Sequence, residues 1–260
     1  MTNKATAHTG SDYIKFIIIG LAAGLLSGLF GVGGGTVIVP LLVTLLSFNQ
    51  RLAAGTSLAA IVPTASVGVI SYAVSGSVAW IPALMLAVGA VIGAQIGTYL
   101  LPRISQTTLK WCFVVFLAIV IVNLFFVIPS RDAAFQISWQ NSIGLTVLGL
   151  CVGTVSGLIG VGGGIIVVPF LILVFGTSDL VAKGTSLLMM IPAALSGTVG
   201  NLKRKNVDLV AAATIGVSAC ATTALGAKLA ALIDPFVANI LFAIYLVIMA
   251  IQIAPKRAKK

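Results

Sequence analysis

Two glycine runs and two hydroxyl-bearing runs are the residues of this chain best suited to do chemistry. Gly33-Gly34-Gly35 is followed by Thr36, and Gly162-Gly163-Gly164 by Ile165. A glycine run interrupts a helix, and the helix that restarts after it presents its first amide groups and the positive end of its dipole. Such a terminus attracts an anion. Further along, Gly55-Thr56-Ser57 and Gly184-Thr185-Ser186 supply hydroxyls, which can bond a small oxyanion without adding a permanent charge. Each set also has a purely architectural reading. Triple glycines allow helices to pack closely, and Thr or Ser at a helix start caps it. Both readings stay open for both sets, and for the hydroxyls they are compatible.

The elements that carry these residues belong in a bilayer. Of 260 residues, 59% are hydrophobic and 8% charged, and the mean hydropathy of +1.18 is far above that of a soluble domain. The expected class is an all-α, polytopic integral membrane protein. The formal net charge of +10 comes from short Lys/Arg clusters between apolar segments, the pattern of topology signals rather than of a nucleic-acid surface. Cys112, Cys151 and Cys220 sit in three separate apolar segments without a CxxC pair, and His8 is the sole histidine. Neither a metal site, a cofactor nor a disulfide framework is expected. The N-terminal tail has no small-residue cleavage site, so the first apolar segment is expected to stay in the mature chain.

The chain is duplicated. An offset of 129 residues superimposes Gly20–Leu42 on Gly149–Leu171 with fourteen identities in twenty-three positions. It also carries Gly55–Leu58 onto Gly184–Leu187, Pro63 onto Pro192, Gly68 onto Gly197 and Gly97 onto Gly226. The expected organisation is a cytoplasmic tail over 1–12, a membrane repeat over 13–129, a linker over 130–141, a second repeat over 142–254 and a basic cytoplasmic tail over 255–260. Apolar segments fall at 13–30, 36–48, 55–76, 79–102 and 109–129, then at 142–160, 165–176, 184–202, 207–231 and 235–254. A helix over 36–48 spans only about 20 Å against a hydrocarbon core of about 30 Å. The glycine breaks are therefore expected inside the membrane, where non-helical backbone must be packed in protein or line a cavity.

Ten crossings with both termini inside place twelve Lys/Arg in the cytoplasm and only Arg131, Lys183 and Lys228 outside, whereas eight crossings give ten against five. The positive-inside rule favours ten. Five segments per unit make the repeats inverted, as in secondary transporters.

The remaining residues narrow the chemistry. GVGGG with Asp179 downstream approaches a dinucleotide fingerprint, but membrane segments flank it and the first copy lacks an acidic partner. There is no glutamate, and all five aspartates fall at segment ends or in loops, which argues against a cationic substrate and a carboxylate proton relay. Sodium held by backbone carbonyls stays open. Lys183 reads as a flanking topology charge, with attraction of anions to a vestibule as the alternative. Gly20, Gly24 and Gly28, with Gly149, Gly153 and Gly157, form small-xxx-small ridges for helix packing.

The doubled GLxGVGGGxxxVPxL, as GLFGVGGGTVIVPLL and GLIGVGGGIIVVPFL, with the later GTS runs, resembles the TauE/SafE family of sulfite exporter-like permeases. The resemblance covers essentially the whole chain. It implies a plasma-membrane (inner-membrane) carrier of small sulfur-containing anions such as sulfite or organosulfonates, with seven or eight spans where broken helices are counted once. The candidate substrate-binding residues are Gly33, Gly34, Gly35, Thr36, Thr56, Ser57, Gly162, Gly163, Gly164, Thr185 and Ser186, and the chain is not expected to be an enzyme. Two other classes stand beside this one: an accessory subunit without transport of its own, and an intramembrane redox or maturation protein. The latter needs paired cysteines or a catalytic set at matched repeat positions, yet Cys151, Cys220 and Cys112 map to Ala22, Val91 and Leu241.

Overall fold

The computed structural model describes residues 8–101, 111, 114, 118, 121–122 and 139–253, and these are helical throughout apart from their connections. The first half contributes α1 (Gly10–Phe30), α2 (Gly35–Leu46), α3 (Gln50–Val74) and α4 (Trp80–Leu100). The second contributes α5 (Trp139–Ile159), α6 (Gly164–Phe175), α7 (Asp179–Lys203), α8 (Leu209–Leu232) and α9 (Pro235–Ile253). The segment expected at 109–129 lies largely outside the described residues. Among the described residues six helices, α1, α3, α4, α5, α7 and α8, are long and apolar enough to cross a membrane.

Two helix starts differ from expectation. α3 and α7 begin about five residues before their apolar runs, because Asn49 and Ser178 cap them. The Asn49 side chain accepts from the Leu52 amide at 2.9 Å and Ser178 Oγ from the Val181 amide at 3.3 Å. Thr56, Ser57, Thr185 and Ser186 therefore lie in the second turn of α3 and α7, and their hydroxyls do not cap these helices.

The glycine runs reverse the chain. α1 ends on Gly31 at φ 69°, and Gly33 and Gly34 both hold φ 75°; Gly160, Gly162 and Gly163 repeat this at 79°, 85° and 88°. Left-handed backbone of this kind is open to glycine at little cost. The reversal folds the chain back along the helix it has just left, so that Gly34 lies beside Ala23 and Gly163 beside Val152. α2 and α6 then run only twelve residues each, about 18 Å. The Phe16 and Phe48 rings, 6.4 Å apart, bring the start of α3 back to the start of α1.

The two halves are interlaced. Gly20, Gly24 and Gly28 of α1 lie on the Ile215, Ala219 and Thr223 carbonyls of α8, and Gly149, Gly153 and Gly157 of α5 lie on those of Leu86, Ala90 and Ala94 of α4. Each contact has its counterpart 129 residues on. Partner numbers rise together, so α1 runs parallel to α8 and α4 parallel to α5. The ridges thus pack helices of opposite repeats, with backbone against backbone because no side chain intervenes. α3 and α7 cross the other way: Gly68 meets Leu187 and Gly197 meets Leu58, so these equivalent helices run antiparallel. At one end His8 Nε2 lies 2.9 Å from Asp208 Oδ2, tying the segment before α1 to the start of α8.

Candidate functional site

The glycine breaks meet each other. A Cβ built on Gly35 would stand 2.7 Å from the Gly160 carbonyl oxygen, and one on Gly164 would stand 2.5 Å from that of Gly31. Gly33 and Gly162 flank Met190 of α7 and Ile61 of α3, themselves 129 residues apart. Gly33, Gly34, Gly35, Gly162, Gly163 and Gly164 are all buried. Their roles differ by geometry. Gly34 and Gly163 supply the left-handed turn, whereas Gly35 and Gly164 give the opposite loop room to approach.

The hydroxyls of the GTS runs reach across the repeats in matched pairs. Ser57 Oγ donates to the Gly160 carbonyl at 2.9 Å, and Ser186 Oγ donates to that of Gly31 at 3.1 Å. Thr56 Oγ1 accepts from the Asp208 amide and Thr185 Oγ1 from the Ala79 amide, both at 3.0 Å. Asp208 and Ala79 are the N-cap residues of α8 and α4. All four hydroxyls are buried. Ser57 and Ser186 thus clasp the C-terminal glycine of the opposite repeat's first helix, and the threonines serve helix starts in the other repeat. Gly55 and Gly184 make this possible, since they admit the carbonyls of Asn206 and Ser77.

Among the described residues, the amides of Gly35, Thr36, Gly164 and Ile165 have no protein acceptor; the first amides bonded at these helix starts are those of Val37 and Ile38, and of Ile166 and Val167. Pro40 and Pro169 also deprive the carbonyls of Thr36 and Ile165 of their usual donor four residues on. The breaks thus carry spare donors in a buried setting. Thr36 departs from the two-fold pattern, because its hydroxyl bonds Tyr245 Oη of α9 while its counterpart is Ile165. Tyr245 in turn lines an apolar cleft of about 440 Å³ with Leu26, Phe30, Val37, Leu241 and Ile248 among others.

Sequence reasoning misjudged one pair. Asp179 and Lys183 stand at a helix start, as expected, but they are buried at 2% and 4% exposure and bonded to each other at 3.1 Å. The signal was present in DLVAK, an acid four residues before a base, which one helix face brings together. Lys183 is therefore not a surface topology charge. Cys151 is exposed on α5 and Cys220 half-buried on α8, and Cys112 lies outside the described residues.

Comparison with known proteins agrees with the doubled motif. The family model described as "Sulfite exporter TauE/SafE" matches residues 3–136 and 145–260. A probable membrane transporter protein of Bacillus subtilis, YunE, is 27% identical over 215 residues, covering 74% of this chain and 78% of the relative. A second from the same organism, YdhB, is 26% identical over 82% of this chain and 88% of its own. A probable membrane transporter protein of Haemophilus influenzae is 33% identical over 60% of this chain and 61% of its own. No solved structure matches the chain significantly. The chain belongs to the TauE/SafE family of membrane transporters.

Proposed function

We propose that the chain is a secondary transporter that moves small sulfur-containing anions, such as sulfite or organosulfonates, across the plasma membrane by alternating access. The carrying observation is the pair of reciprocal serine bonds, Ser57 to Gly160 and Ser186 to Gly31, around two glycine breaks in mutual contact. Two equivalent clasps that close on a shared centre are what a carrier opening to either side in turn requires. The anion is bound by the unpaired amides at the starts of α2 and α6 and by the Thr56, Ser57, Thr185 and Ser186 hydroxyls once a clasp opens. Neutral donors favour an anion yet let it go.

The reading includes inverted repeats and ten crossings, with α2 and α6 as half-crossings and both termini cytoplasmic. It is supported by the antiparallel run of α3 against α7, by the return of α3 to the level of Phe16, and by the Lys/Arg distribution. Export draws on the inside-negative potential, about 2.3 kcal/mol per charge per 100 mV.

Purified protein in liposomes, given a panel of sulfite, sulfonates, sulfate and chloride with and without an imposed potential, tests the reading. Flux of the sulfur anions that changes with potential supports it, while absence of flux across the panel refutes autonomous anion transport.

A further inference from the structure

A buried charge pair breaks the two-fold pattern of the fold. The counterparts of Asp179 and Lys183 in the first repeat are Gln50 and Ala54. Packing is otherwise equivalent, since Gly31 lies against the Cα and Cβ of Lys183 as Gly160 lies against those of Ala54. A methyl group therefore suffices for the fold at this position. Burying an ammonium and a carboxylate there costs solvation that their mutual attraction offsets only in part. The charges answer to something other than packing.

The carboxylate is also incompletely satisfied. Among the described residues, Asp179 Oδ1 and the neighbouring Thr177 Oγ1 are buried without a partner, which is uncommon for polar groups inside a protein. The carboxylate holds the ammonium through Oδ2, at 3.1 Å. Lys183 meanwhile abuts Gly31, the residue whose carbonyl Ser186 clasps three positions further along α7. The ion pair and the clasp therefore meet at Gly31.

We infer that Lys183 is the resident counter-charge for the transported anion, and that Asp179 occupies it when no anion is bound. This deepens the proposed function and rests on its anionic substrate. An arriving anion competes with the Asp179 carboxylate for the ammonium, so Lys183 exchanges one counter-charge for another. The asymmetry gives the carrier a charged approach at the end of α1 and α3 and a neutral one at Ala54.

Three variants test the inference in purified protein, read by sulfite-dependent thermal stabilisation and by sulfite flux in proteoliposomes. Asp179→Gln with Lys183→Ala copies the first repeat, so it should fold with the wild-type melting temperature. It should nonetheless lose sulfite stabilisation, with KM for flux raised on the order of tenfold to a hundredfold, the worth of a hydrogen bond to a charged group. Lys183→Gln should behave likewise in KM. Asp179→Asn removes the competitor and should lower KM while lowering kcat, a split that a merely structural pair would not give. Wild-type KM in the double variant, with wild-type flux intact, overturns the inference and leaves the proposed function standing. No sulfite stabilisation and no flux in the wild type overturns both.

Discussion

Removing one serine hydroxyl should bias the carrier toward one side only. Ser57 and Ser186 are fully buried, and each holds a carbonyl of the opposite repeat at 2.9 and 3.1 Å. Hydrogen bonds between membrane helices contribute about 0.6 kcal/mol on average, and intramolecular bonds up to about 1.5 kcal/mol. Ser57→Ala should therefore shift the closed-to-open equilibrium at its clasp by about threefold to thirteenfold. Ser186→Ala should do the same at the other clasp.

The reporters follow from helix spacing. Ala53 and Ala182 lie one turn before Ser57 and Ser186, on the same helix faces, and both are fully buried. Ala53→Cys or Ala182→Cys, in a background lacking the native cysteines, gives a thiol that a soluble maleimide reaches only when its own side opens. Labelling at Ala53→Cys should rise in Ser57→Ala but not in Ser186→Ala, labelling at Ala182→Cys should show the reverse, and the double variant should raise both. Equal increases at both reporters in either single variant would show that the clasps do not act as separate gates. No change in a well-folded variant would show that they carry no closing energy.

Three further outcomes follow from the glycine geometry and the cysteines. Gly24→Leu forces a side chain into the Ala219 carbonyl and should cost about 1–3 kcal/mol by overpacking, seen as a lower melting temperature in detergent, while Gly10→Ala, with open space around it, should leave it unchanged. Gly34→Ala meets a left-handed φ of 75° at a cost of about 1–2 kcal/mol and should reduce flux more than assembly, whereas Gly35→Ala pushes on the Gly160 carbonyl that Ser57 holds and should reduce both. Replacing Cys112, Cys151 and Cys220 together with serine should preserve flux, and its loss would reopen a redox role.

Much of the fold was legible because the repeat was. The offset of 129 residues, read from Gly20–Leu42 and its copy, also relates the helix contacts and hydrogen bonds of the folded chain. The glycine ridges were legible as packing surfaces, but not their partners: small-xxx-small spacing states that a backbone comes close, and cannot say that α1 takes α8 from the other repeat. The starts of α3 and α7 were misplaced because the apolar run was taken as the helix. First turns that open on Gln50-Arg51 and on Asp179 interrupt the apolar run, and the caps Asn49 and Ser178 are what mark them as helix. Capping of their own helices, one of the two readings open for the hydroxyls of Thr56 and Thr185, is not what they do, and local sequence cannot reveal that Asp208 and Ala79 lie opposite them.

The interlacing of the repeats explains why this chemistry sits where it does. Each first helix leans on the other repeat's fourth, so neither half can bury its glycine ridge alone, and the ends of α1 and α5 are delivered to the GTS turns of α7 and α3. Two-fold related contacts follow from that arrangement at every level, from Gly24 on Ala219 with Gly153 on Ala90 to Ser57 on Gly160 with Ser186 on Gly31. Residues that obey the relation are accounted for by the shared fold. Buried departures from it include Thr36, bonded to Tyr245 where the partner is Ile165, and Asp179 with Lys183, where the partners are Gln50 and Ala54. Under the proposed function, two equivalent clasps give a duplicated carrier no intrinsic preference for a side. Such preference comes from the places where the copies differ, and Asp179 with Lys183 is a buried difference that carries charge.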